Sequence, residues 1–144
     1  VSNERYTMKI YRHGETYIAP KGAYFDGNVR IDGNFIAPAE THIWGRLEVF
    51  GKVELGPYCT VGDSVFCTSA IIGKGTRIKG SLEALEDVTI CDDVRLKSLR
   101  AGGNIIIRPG VKVGDVFSDE TIFVYGKIKS GLLNGRNVKV LGNG

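Results

Sequence analysis

Val88-Thr-Ile-Cys-Asp-Asp-Val-Arg-Leu-Lys-Ser-Leu99 and Ile105-Ile-Ile-Arg-Pro-Gly-Val-Lys-Val-Gly-Asp-Val116 carry aliphatic residues at the same five places, 17 residues apart. Extending the comparison in both directions yields three columns. One reads Val29, Leu47, Val65, Leu82, Leu99, Val116, Leu133. A second reads Phe35, Val53, Ile71, Val88, Ile105, Ile122, Val138, and a third Thr41, Cys59, Ile78, Val94, Val111, Ile128. A fixed period this short marks a solenoid, in which each unit buries its apolar face against its neighbours.

The residue two beyond a column position is often apolar as well, as in Val88-Thr-Ile90, Val94-Arg-Leu96, Val111-Lys-Val113 and Val138-Lys-Val140. Period two is the signature of a strand with one buried face. The β-branched content favours strand over helix. Gly56-Pro57, Asp63, Gly73-Lys-Gly75, Asp92-Asp93 and Pro109-Gly110 punctuate the gaps as corner residues. The pattern predicts an all-β, single-stranded triangular parallel β-helix. It would have about seven coils of roughly 17–18 residues and a length of some 30–35 Å. Ser81-Leu-Glu-Ala-Leu-Glu-Asp87 has helical propensity, but Leu82 and Val88 fall on the columns, so it reads as strand and corner. Residues 1–26 hold four of the six tyrosines and form an aromatic-rich cap or extra coil; 27–144 form the β-helix domain.

The 144 residues suit one domain, and a net charge of +3 is too small to imply nucleic acid by itself. No apolar run approaches a membrane span, and no signal-peptide core is visible, although a first residue of Val leaves room for upstream sequence. Cys59 falls on a column, Cys67 two beyond one and Cys91 near a corner. They show no CxxC spacing, so they read as buried small hydrophobes in a reducing, cytoplasmic setting.

Ile31-Asp-Gly33, Val113-Gly-Asp-Val116 and Val124-Tyr-Gly-Lys-Ile128, set in coils of this length, resemble the bactofilins over about residues 27–142. That resemblance implies a right-handed β-helix that polymerises end to end without nucleotide and scaffolds other proteins at the membrane. The aromatic N-terminus departs from the short disordered tails of that family. A second resemblance is to the left-handed β-helix of hexapeptide-repeat acyltransferases. It rests on Leu55-Gly56, Val61-Gly62, Ile72-Gly73, Val113-Gly114 and the hexad-like run from Leu55 to Cys67. It implies a trimeric enzyme with an outward His42 as general base between subunits. The 17-residue coils depart from that family's strict 18. A carbonic anhydrase on a related left-handed β-helix needs three His ligands, and this chain has only His13 and His42.

The residues therefore favour a non-enzymatic, self-assembling scaffold that needs no cofactor or metal. Three surfaces follow from the columns. Leu132, Leu133, Val138 and Val140 would carry an end-to-end contact by β-augmentation. Ile72, Ile106 and Phe123, one beyond the second column, with Tyr125, would form a lateral apolar interface. Lys79, Arg95, Lys112 and Lys129, one beyond the third column, would form a basic ladder. That ladder would face an anionic membrane surface or an acidic protein partner, with nucleic acid disfavoured for lack of interleaved aromatics.

Overall fold

The computed structural model describes residues 10–142. Tyr6 and the rest of residues 1–9 lie outside them, as do Asn143 and Gly144. The described chain is all β, without a helix, and winds into a parallel solenoid of about seven turns.

The first column holds throughout. Val29, Leu47, Val65, Leu82, Leu99, Val116 and Leu133 stack directly on one another along the first face. The second face stacks Phe35, Val53, Ala70, Val88, Ile105, Ile122 and Val138. Ala70, not Ile71, occupies that column, so the strand Ser69–Ile72 turns Ala70 and Ile72 inward and Ile71 outward. The apolar pattern alone misreads this site because alanine is the small member of the column. On the third face the inward row runs through Thr41, Cys59, Thr76 and Val94, and Ile78 belongs to the next inward row with Val61 and Leu96.

The inward rows form one continuous core, with Phe25 and Phe35 filling its N-terminal part. Each fully buried aliphatic side chain contributes roughly 1.5–3 kcal/mol through removal of its surface from water. Three buried hydroxyls, those of Thr41, Thr76 and Ser118, are reconciled with that core by local bonds, Ser118 Oγ donating to the Gly103 carbonyl at 2.7 Å. Thr41 Oγ1 donates to the Pro38 carbonyl at 2.8 Å. Thr76 Oγ1 accepts from the Cys59 amide at 3.3 Å and donates to the Gly56 carbonyl at 3.2 Å. Cys59 and Cys67 are buried and Cys91 is half-buried, all as free thiols. Burial pushes the Cys67 thiol up to about 12.

Corners are held by two devices. Side-chain oxygens on one coil accept amides of the next: Asn28 from Arg46, Asn34 from Lys52, Asp87 from Asn104, Asn104 from Thr121 and Asp115 from Leu132, at 2.7–3.1 Å. The corner entering the third face needs a left-handed residue in each coil. Gly22, Glu40, Tyr58, Gly75, Asp93 and Gly110 fill it with φ of 59–80°. That conformation suits glycine and costs side-chain-bearing residues. Upstream, Thr16–Ile18 pairs in parallel with the second face and Tyr24–Phe25 with the third. Tyr11–His13 then folds back antiparallel on Thr16–Ile18 around Gly14, so His13 stands exposed at the sheet edge. The segment Ser81–Asp87 continues the strand Arg77–Ala84 into a corner, as its columns predict.

Candidate functional site

The third face carries the most distinctive surface. Its first strands, Tyr24–Phe25, His42–Ile43 and Thr60–Val61, are only two residues long. The first residue of each pair points outward. Register therefore stacks Tyr24, His42, Thr60, Arg77, Arg95, Lys112 and Lys129 into one outward row. Strand stacking sets the rungs about 4.8 Å apart. This corrects the basic ladder at one rung: Arg77, not Lys79, lies between Thr60 and Arg95. Lys79 is displaced because Ile78 pairs with Leu96 and not with Val94. Lys79 sits two residues past Arg77, in a second exposed row with Trp44 and Lys97. The register then shifts between Ile78 and Ser81, where the Arg77–Ala84 strand carries an extra corner residue.

Between the two rows lies an open groove of about 810 Å³. Ile78, Leu96 and Val113 line its floor, the six cations Arg77, Lys79, Arg95, Lys97, Lys112 and Lys129 its walls, and Trp44 and Thr60 one end. No carboxylate lines it. Among the described residues, none of these six cations joins an ion pair. Elsewhere cations find acids: Arg30 with Asp32, Arg46 with Glu48, Lys52 with Glu54, Arg108 with Asp92 and Arg136 with Glu120. Unit charges about 5 Å apart repel by roughly 0.8 kcal/mol per pair in water before salt screening. The groove therefore gathers six cations without an ion pair among the described residues, with Asp93 in the neighbouring recess beside Arg77 and Arg95, while the rest of the surface mixes its charges.

Trp44 is 44% exposed, with Tyr24 tilted against it at 6.0 Å and the Lys79 ammonium 5.5 Å from its ring centre. Sequence reasoning missed Trp44. The available signal was its place two residues after the outward His42, on the same side of the strand by alternation. His42 is half-buried, flanked in the row by Tyr24 and Thr60, one rung from the groove.

The other predicted surfaces fare differently. Ile72 is fully buried and leaves the lateral row, which reads Glu54, Ile71, Thr89, Ile106, Phe123 and Lys139. Ile106, Phe123 and Tyr125 are half-buried there, with Lys139 5.8 Å from the Phe123 ring centre and Arg108 5.0 Å from that of Tyr125. Two cations thus lie over aromatics expected to be bare. In the last coil, Leu132 and Val140 are 75% and 72% exposed, Val138 is exposed and Leu133 half-buried. Among the described residues, the strand Asn137–Leu141 pairs only with Thr121–Tyr125, leaving its other edge open.

These features define a parallel β-solenoid protein with a basic groove on one face. The chain is similar to the bifunctional protein GlmU of Geotalea uraniireducens, with 29% identity over 124 residues, 82% of this chain and 24% of that protein. It is also similar to the bifunctional protein GlmU of a Geobacillus species, with 30% identity over 115 residues, 80% of this chain and 22% of that protein. The chain thus spans about a quarter of the length of these curated relatives. No protein-family model matches it, and no solved structure does.

Proposed function

We propose that this chain is the β-helix module of a self-associating acyltransferase of the hexapeptide-repeat kind, working in the cytoplasm. The reading is carried by the likeness to the GlmU proteins, which runs through four fifths of the chain and therefore through the solenoid itself. His42 supplies the chemistry. Its imidazole takes the proton from an acceptor hydroxyl or amine as that group attacks the carbonyl of a thioester donor. A C–O or C–N bond forms, the C–S bond breaks, and the imidazolium returns the proton to the departing thiolate. The third face is open around His42, so a neighbouring copy would supply the missing wall there, at the end of the face away from the Lys112 and Lys129 rungs.

The test is thiol release from acetyl-CoA across a panel of amine and hydroxyl acceptors, with molar mass from light scattering. Turnover that His42→Ala abolishes, in a trimer of unchanged mass, supports the reading. No thiol release with any acceptor, or turnover indifferent to His42, overturns it.

A second reading is a scaffold that assembles through its last coil, and the exposed Leu132, Val138 and Val140 beside an unpaired strand edge favour it. There, Val138→Asp reduces assembly size; an unchanged size refutes it.

A further inference from the structure

We propose that the third-face groove binds a linear, phosphate-rich polyanion without bases, laid along the solenoid axis across Arg77, Arg95, Lys112 and Lys129 and clasped by Lys79 and Lys97. This is independent of acyl transfer and requires no acyl donor.

Three observations select this occupant. The six cations have no acidic partner among the described residues, whereas the charged rows of the other faces are interleaved with acids. The lining polar side chains are ammonium, guanidinium and hydroxyl groups, from Lys, Arg, Thr60 and Ser130, with no carboxylate. Such a wall suits a ligand that only accepts hydrogen bonds, as a chain of linked phosphates does. An acidic peptide would bring an amide donor at every residue into a wall built of donors. The rungs recur at the strand spacing over four successive coils, so they match an extended chain better than a compact anion. A single-stranded nucleic acid would want a succession of aromatics for its bases, and the groove has only Trp44 at one end. A flat lipid surface would meet the rims of the recess before its floor, and Trp44 is the one exposed large apolar side chain among the lining residues.

Trp44 is the chain's single tryptophan, so its emission reports on the groove directly. The experiment titrates the whole protein with long-chain polyphosphate and with pyrophosphate, following Trp44 fluorescence at several salt concentrations. We expect the long chain to bind at least tenfold more tightly than pyrophosphate. Neutralising about six charges should cost a hundredfold or more in affinity between about 50 and 200 mM salt. Arg95→Gln with Lys112→Gln should weaken binding at least tenfold and flatten the salt slope by about two. Arg95→Lys with Lys112→Arg should retain it, and Arg30→Gln on the first face should leave it unchanged. Circular dichroism confirms that each variant keeps its fold. Equal affinity for long and short phosphates overturns the proposal. So does equal loss in Arg30→Gln, or binding of anionic lipid vesicles, polyglutamate or single-stranded DNA as tight as that of polyphosphate.

Discussion

Adjacent isoleucines give a direct measurement of the solenoid's register. Ile72 is fully buried and Ile71, its neighbour, points outward with 36% of its surface exposed. Truncating each to alanine removes the same three carbons from opposite sides of one strand. For Ile72 the transfer loss is about 2.4 kcal/mol at ~0.8 kcal/mol per buried carbon. The cavity left between Leu55 and Ile90, its neighbours in the stack, adds to this and brings the total to roughly 3–4 kcal/mol. For Ile71 the loss should stay below about 1 kcal/mol, because half-exposed surface is already hydrated. Urea unfolding followed by circular dichroism reads the difference. With a slope near 2 kcal/mol/M, Ile72→Ala should shift the midpoint by about 1.5–2 M and Ile71→Ala by less than about 0.5 M. Equal shifts, or a larger one for Ile71→Ala, would refute the placement of Ala70 in the core column, and with it the phase of the second face.

Cys67 makes stability depend on alkaline pH. A thiol that ionises near 9 when unfolded and near 12 when folded holds its proton more tightly in the native state. Its contribution is therefore intact below about pH 9 and is lost as pH rises toward 12, about 4 kcal/mol in all. Cys67→Ala should start less stable at pH 8, and its deficit relative to wild type should shrink by about 2 kcal/mol by pH 10.5. Parallel pH curves in urea titrations would sink this account. The left-handed corner provides a pair of opposite substitutions. Gly110 adopts a φ of +80° beside the Asp93 side chain, so Gly110→Ala should cost roughly 1–2 kcal/mol in thermal or urea unfolding. At the equivalent corner, exposed Glu40 has a φ of +61°, and Glu40→Gly should be neutral or gain up to about 1 kcal/mol.

Where the sequence was legible, each inward position was a large aliphatic. The first column could be read without error because Val, Leu and Val in steps of 17 or 18 admit one phase only. The second slipped at Ala70 and the third at Thr76, and the causes differ. Alanine at a core site is set by how closely neighbouring coils approach, a tertiary quantity. The apolar pattern passes over Thr76 for the more apolar Ile78 two residues on, although the Thr76 hydroxyl is bonded to the Cys59 amide and the Gly56 carbonyl as that of Thr41 is to the Pro38 carbonyl. Passing over Thr76 moved the third column two residues on, to Ile78, and carried the ladder from Arg77 to Lys79. The basic character of the third face survived that slip because cations occupy both outward rows. The identity of the central rung did not survive it, and neither did the part played by Trp44.

The groove lies where two strands pass through a corner without a break. On the second face, strands of three to five residues alternate inward and outward side chains and end before the next corner. On the third face the early coils hold the two-residue strands His42–Ile43 and Thr60–Val61, whereas at the groove the strands Arg77–Ala84 and Arg95–Ala101 run on from the third face into the first. Alternation along these strands sets the first and third residues outward on either side of a buried aliphatic, which becomes the floor. Arg77 and Lys79 flank Ile78 in one coil, and Arg95 and Lys97 flank Leu96 in the next. The extra residue after Ile78 lets one coil turn more widely than its neighbour without disturbing the stack of Leu82 on Leu99. A repeat whose core tolerates 17 or 18 residues per turn can thus adjust the width of one corner independently of its core. Cations placed there can converge on a ligand from two sides, which a flat β-face does not allow.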